Sequence, residues 1–292
     1  SRIMAHNYSG TGQKTIRLTQ TTQYNCVGYD ETTINLGLKP SSIFNWVDEC
    51  SAKDGSSKAI HFTDKSTAPD GDPIKKRYWS VNSENGKILY NDSTTNNYKD
   101  IAFTQPGNYQ VQLRVVTQKN CIDTATKIFH LRPWVIVADD MPYSENFENG
   151  NNGWYPSLSG SIDNTIWKLG ESETFGTPEG ERKVWYTENT GLSNINASVT
   201  GPCMDFSWIK KPMIKLNIKK LMLQGYDGAV LQYTTDITDT VWNNLGTVSE
   251  GINWFNSNSI EGKPGNTFTG WTGKNSEDEY VSAMLNLDNL KW

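Results

Sequence analysis

The sequence predicts an all-β fold, and three observations carry that expectation. Short runs of alternating apolar and polar residues dominate, and no stretch keeps an i, i+3, i+4 apolar pattern over 11 residues. Mean hydropathy is −0.61 although only 20% of residues are charged, so the polarity comes from Asn, Thr, Ser and Gly, the usage of turn-rich β-proteins. Two stretches also repeat each other at an offset of 95 residues: Tyr8 matches Phe103, Gly12 matches Gly107, and Asn25-Cys26 matches Asn120-Cys121. A repeat of that length means tandem domains rather than a solenoid.

Taken in order, half-buried strands are expected at 15–19, 59–63, 109–115, 128–131, 214–218 and 229–233, each bounded by turn residues. Asp70-Gly71-Asp72-Pro73, Glu84-Asn85-Gly86 and Gln105-Pro106-Gly107-Asn108 supply those turns, glycine giving positive φ and proline presetting the bend. Pro212 to Leu223 is the best helical candidate, yet Ile214, Leu216 and Ile218 alternate with Lys215, Asn217 and Lys219, which reads as a strand. Leu38-Lys39-Pro40 matches Leu131-Arg132-Pro133 after a two-residue slip, so each closes a repeat unit. The resulting division is 1–40, the end of a first unit whose front half is missing; 41–134, a complete unit; 135–142, a connector; and 143–292, a different module. Nine of the eleven Trp lie at or beyond Trp134, which supports the last boundary.

A net charge of −5 and 20% charged residues give no basic surface for nucleic acid or an anionic membrane. No apolar run approaches the roughly 20 residues of a membrane helix, so direct membrane insertion is not expected. The four cysteines, Cys26, Cys50, Cys121 and Cys203, form no C-x-x-C pair. If seven strands of the complete unit reverse in succession, the last turn lies at the pole where the first strand begins. That parity predicts a Cys50–Cys121 disulfide, with Cys26, the counterpart of Cys121, bonded to a residue in the missing half. Cys203 reads as a small buried hydrophobe. A disulfide implies an oxidising, extracellular compartment.

Within 41–133, Ala59-Ile60-His61-Phe62-Thr63-Asp64-Lys65-Ser66 leads into Ala68-Pro69-Asp70-Gly71-Asp72-Pro73-Ile74, then Tyr78-Trp79, then Phe103-Thr104-Gln105-Pro106-Gly107-Asn108-Tyr109-Gln110-Val111-Gln112-Leu113. These three blocks resemble the PKD family of immunoglobulin-like β-sandwich domains. The resemblance spans nearly all of 41–133, while residues 1–40 match only the family's last strands through Tyr8, Gly12, Ile16 and Leu18. The family's Asp-Gly-rich box after the Trp is replaced here by Ser80-Val81-Asn82-Ser83-Glu84-Asn85-Gly86. Trp79 is expected between the sheets against Val111 and Leu113, and Gly107 in a backbone conformation that only glycine tolerates.

In 143–292, aromatics interleave with Gly and Asn, which suggests a jelly-roll sandwich. The order Phe147-Glu148, Gly153-Trp154, Trp167, Pro202-Cys203-Met204-Asp205-Phe206 and Asp227-Gly228-Ala229 resembles MAM-type and related concanavalin-like jelly rolls, incomplete at the C-terminal end. Members of that group bind calcium near the opening Phe-Glu segment. The resemblance therefore nominates Glu145, Glu148, Asn149, Asp163 and Asp227 as hard oxygen ligands, against the plainer reading of solvated turn carboxylates. No cofactor is required by any other feature. Exposed Trp or Tyr rings could stack on sugars, though most are expected in the core.

Catalysis is not expected. His6, His61 and His130 are scattered, with His61 facing solvent between Ile60 and Phe62, and Glu277-Asp278-Glu279 reads as a solvated loop. There is no nucleophile elbow, H-E-x-x-H or phosphate-cradling glycine loop. Tandem PKD-like units joined to such a jelly roll resemble the large type IX-exported surface proteins of Bacteroidota, including gliding-motility adhesins. Their D-[ST]-[hydrophobic or Thr] acceptor pattern for O-glycans fits Ser93, Thr124 and Thr240. The chain is therefore read as a non-catalytic piece of a cell-surface protein, with PKD units as stalk spacers and the jelly roll contacting a protein or glycan. The alternatives are a carbohydrate-binding region of a secreted hydrolase and a docking subunit of an outer-membrane secretion assembly.

Overall fold

The structure is a computed structural model that describes residues 5–8, 10–47, 49–158, 166–187, 195–236, 241–275 and 279–288. The described residues are all-β apart from one 3-10 turn at Pro264–Asn266. They fall into two units. The first comprises Ser1–Trp46, Ala59–Ile101 and Tyr109–Phe129; the second comprises Val47–Lys58, Ala102–Asn108 and His130–Trp292.

The chain opens with a hairpin of β1 (Gly12–Thr21) and β2 (Val27–Leu36). There follow β3 (Phe44–Asn45), β4 (Lys58–Asp64), β5 (Ile74–Ser83), β6 (Ile88–Thr94), β7 (Tyr98–Phe103), β8 (Gly107–Thr117) and β9 (Ile122–Leu131). They form two sheets, ordered β3-β4-β7 and β6-β5-β8-β9, which is a sandwich. Alternation puts Ile60 and Phe62 of β4, Trp79 and Val81 of β5, and Val111, Leu113 and Val115 of β8 inside, none more than 1% exposed. Phe44 meets Trp79 edge-on at 5.3 Å between ring centroids, and Phe62 meets Phe129 at 5.5 Å, so aromatic contacts close the core between the two sheets. Trp79 pairs with Leu113 in register, as its place in the sequence predicts. Gly107 has φ of +148°, and His61 faces solvent, stacked on Tyr98.

The offset of 95 residues survives in three dimensions. Both hairpins start, turn and stop at equivalent positions, so Leu36 matches Leu131 without slippage and the two extra residues, Gly37 and Leu38, follow the strand. Both turns read Thr-Gln-x-Asn-Cys. Asn25 and Asn120 take φ of 62° and 66°, left-handed values that asparagine tolerates best after glycine. Thr22 N donates to Cys26 O, and Thr117 N to Cys121 O, both at 2.9 Å. The Cys26 and Cys121 amides donate to the hydroxyls of Thr22 and Thr117 at 3.2 and 3.0 Å.

In the second unit, β10 (Trp134–Ala138) pairs in parallel with β15 (Cys203–Trp208). The first half of the stretch expected as a connector, 135–138, is thus strand, since Val135, Ile136 and Val137 favour extended backbone. Between those two lie β11 (Tyr155–Leu158), β12 (Trp167–Gly170), β13 (Val184–Thr187) and β14 (Ala197–Thr200), paired β11–β14 and β12–β13. After them come β16 (Met213–Ile218), β17 (Gln232–Tyr233), β18 (Asn243–Asn244) and β19 (Val281–Asn286), paired β16–β19 and β17–β18. Their core gathers Leu245, Trp254, Phe255, Trp271, Ala283, Leu285 and Leu287. Trp254 and Trp271 donate their indole N–H groups to Leu245 O and Asn253 O at 2.8 and 3.0 Å, which lets both rings be buried.

The disulfide differs from the one parity predicts. Cys50 is bonded to Cys203, and Cys121 and Cys26 are free thiols. The first pairing of the sandwich is the Ser41–Thr67 bridge, ahead of β3, and Ser42 N donates to Asp123 Oδ2 at 2.7 Å, so the front of the sandwich does lie by the last turn. Cys50 is nine residues further on, however, bridging in parallel to Arg132 at the end of β9. Cys121 instead precedes β9, eleven residues before Arg132 in the sequence. Cys203 is buried as expected, but as half of a disulfide.

Candidate functional site

The second unit sorts its aromatics into core and surface. Trp254, Phe255 and Trp271 are core, and Phe147 packs edge-on between Trp154 and Trp185. Trp208 is the opposite case, 69% exposed at the end of β15. It lies in register with Ala138 of β10, and Ala138 bridges to Met141, itself exposed.

The strand beneath Trp208 is firmly held. Asp205 accepts Ser207 N and Ser207 Oγ on Oδ1 at 3.0 and 2.6 Å, and Lys53 Nζ on Oδ2 at 2.7 Å. The Lys53 ammonium, followed by the two Ser207 groups, holds the Asp205 carboxyl well below the usual carboxylate range. Lys53 also lies over the Trp134 ring at 4.4 Å, and the segment that carries it is tied down at Cys50 by Cys203. Two residues beyond Trp208, Lys210 N donates to Asp139 Oδ1 at 3.0 Å and Lys210 Nζ stands 3.9 Å from Asp139 Oδ2, so the ammonium and the carboxylate pair with each other. An exposed indole on an anchored strand suits a ligand with one apolar face. Trp208 escaped the sequence reading, although the signal was there: Lys210-Lys211-Pro212 makes the end of its strand a solvated turn.

Of the nominated calcium ligands among the described residues, each carboxylate has partners of its own. Glu148 accepts the amides of Arg182 and Lys183 on Oε1 at 2.6 and 2.9 Å, and pairs with Arg182 Nε at 3.2 Å. Glu145 closes its own loop through Phe147 N and Asn152 Nδ2, Asn149 is exposed, and Asp227 caps Leu223 N. Asp163 lies outside the described residues, and among those described no three acidic, His or Cys side chains cluster as a metal site. Glu277 and Asp278 also lie outside them.

Two nominated glycan acceptors share a row across the four-stranded sheet. Ser93 pairs with Tyr78, Tyr78 with Arg114, and the β8–β9 turn sets Thr124 opposite Arg114, consistent with the Gln112–Thr126 hydrogen bond. Lys76 and Arg114 cover the Tyr78 ring at 5.1 and 4.4 Å. Thr124 is exposed and Ser93 half-buried; Thr240 lies outside the described residues.

No family model and no curated protein matches this chain. Among solved structures, one chain aligns over 86% of this chain and 92% of its own, at 15% identity and a TM-score of 0.30. It is described under "Structural basis for the promiscuous specificity of the carbohydrate-binding modules from the beta-sandwich super family".

Proposed function

We propose that this chain is a non-catalytic, disulfide-pinned part of an extracellular protein, with immunoglobulin-like units as spacers and the Trp-rich unit as the module that binds. The observation that carries the reading is Trp208, an indole left 69% exposed on a strand anchored by Asp205 and Lys53. On an anchored strand the ring offers a ligand a preset apolar face. An exposed indole favours a glycan, whose sugar rings offer an apolar face to stack on it. The Cys50–Cys203 bond fits an oxidising compartment. The setting is a cell-surface adhesin of the type IX-exported kind, with Ser93 and Thr124 as O-glycan acceptors on the outer face of the spacer.

Glycan-array binding by the wild-type chain and by Trp208→Ala tests the reading. The variant should keep its melting temperature and lose about tenfold or more in affinity, the cost of removing a central aromatic anchor. Chelation of calcium should leave binding intact, because the Glu148 carboxylate is already engaged by Arg182 and Lys183. Equal binding by wild type and variant would remove Trp208 from the site. Co-purification with an outer-membrane assembly, without glycan binding, would replace the glycan by a protein partner. Intact mass equal to that of the bare polypeptide, in protein from its native host, would dispose of the O-glycans.

A further inference from the structure

The two hairpins have the same turns and strands that match to within one residue, but opposite fates. In β8–β9 the inward residues Val111, Leu113, Phe129 and Leu131 are all 0% exposed. Their counterparts at the 95-residue offset are Ile16, Leu18, Ile34 and Leu36. Pairing of Gly12 with Leu36, Lys14 with Ile34 and Ile16 with Thr32 puts these four on one face of β1–β2. There Ile16 is 38% and Leu18 68% exposed, while Ile34 and Leu36 are half-buried. The opposite face carries the Arg17–Glu31 ion pair, with Arg17 over Tyr29, as a solvated face does.

The turns show the same contrast. In the complete unit the buried Asp72 carboxylate accepts Thr117 Oγ1 at 2.7 Å and Lys119 N at 2.8 Å. The equivalent donors, Thr22 Oγ1 and Tyr24 N, make no such bond among the described residues.

We propose that the Ile16, Leu18, Ile34 and Leu36 face, together with the Thr22–Cys26 turn, docks an immunoglobulin-like sheet carried by the same polypeptide N-terminal to the hairpin. That sheet is the counterpart of β3 to β7, and it brings a carboxylate in the place of Asp72 to receive Thr22 and Tyr24. A second copy of this chain is the poorer occupant, because the inner faces of its own β4 and β5 are already spent on Val111, Leu113 and Phe129. The proposal extends the spacer reading to a second unit and is independent of Trp208.

Thiol accessibility tests it, since Cys26 is exposed and Cys121 half-buried. Maleimide labelling resolved by peptide mass should modify Cys26 faster than Cys121 in the 292-residue chain. In the native polypeptide extended upstream by one repeat length, Cys26 should slow about tenfold or more, since closing a local opening by that factor is an ordinary protection effect. Leu18→Asp or the milder Leu18→Ala should restore fast labelling there, and Thr19→Asp on the opposite face should not. An unchanged Cys26 rate in the extended polypeptide overturns the proposal, as does a natural polypeptide that starts at the hairpin. So does protection in the 292-residue chain that grows with protein concentration, which identifies a second copy as the occupant.

Discussion

A Cβ placed on Gly37 would stand 2.7 Å from the Cys121 sulfur and 3.2 Å from an Asp72 carboxylate oxygen. Gly37→Ala should therefore overpack this corner and cost about 1–3 kcal/mol in a urea melt. Adding Cys121→Ala should return most of that loss; an equal loss in single and double variants would show that the sulfur is not the obstacle. Asp72 itself gives a pH dependence. Burial pushes its carboxyl up, but the Lys119 amide and the Thr117 hydroxyl outweigh burial and hold it below its ordinary value of 3.8. A carboxyl lowered by folding contributes stability that is complete above that value and is lost as pH falls through the folded one. Melting temperatures followed from pH 7 downward should drop less steeply for Asp72→Asn than for wild type, from a lower start. The Asp72 turn was legible in sequence as a glycine–proline bend. The role of its carboxylate was not, because the donors lie 45 and 47 residues away.

Among the elements, alternation revealed four of the nine strands of the first unit, β1, β4, β8 and β9, and in the last three it marks one face in the core and one in water. β10 was hidden, since its partner β15 lies about 70 residues on and runs parallel, a pairing with no local turn to announce it. The disulfide was missed for a different reason. Parity does bring the front of the sandwich beside the last turn, but Cys50 lies five residues past the end of β3 rather than at its start. The paired hairpins give a sharp test at this scale. Leu113→Ala should cost about 2–5 kcal/mol, the price of a fully buried leucine. Leu18→Ala, at the same place in the repeat, should cost about 0.5 kcal/mol or less in the 292-residue chain, because its side chain is largely in water. Denaturant midpoints of the two variants compare them directly, and equal losses would mean that the first hairpin is packed after all.

At the scale of the whole molecule, the chain enters the second unit at Val47–Lys58 and again at Ala102–Asn108 before settling there from His130 onward. Cys50–Cys203 closes a loop over a sequence separation of 153. In the chain-entropy view such a loop stabilises by up to about 5 kcal/mol, so reduction should lower the melting temperature. Thiol labelling of the folded, unreduced protein should modify Cys26 and Cys121 and spare Cys50 and Cys203. Labelling of Cys50 would refute the bond.

That loop also decides how the molecule answers a pull. Tension applied between its two ends runs through the sulfur–sulfur bond and bypasses every strand from β4 to β14. Those strands include all but one of those in the sandwich, so most of the sandwich is sheltered from load. Roughly 500 Å of extended chain stays in reserve, and it pays out only where the surroundings are reducing enough to open the bond.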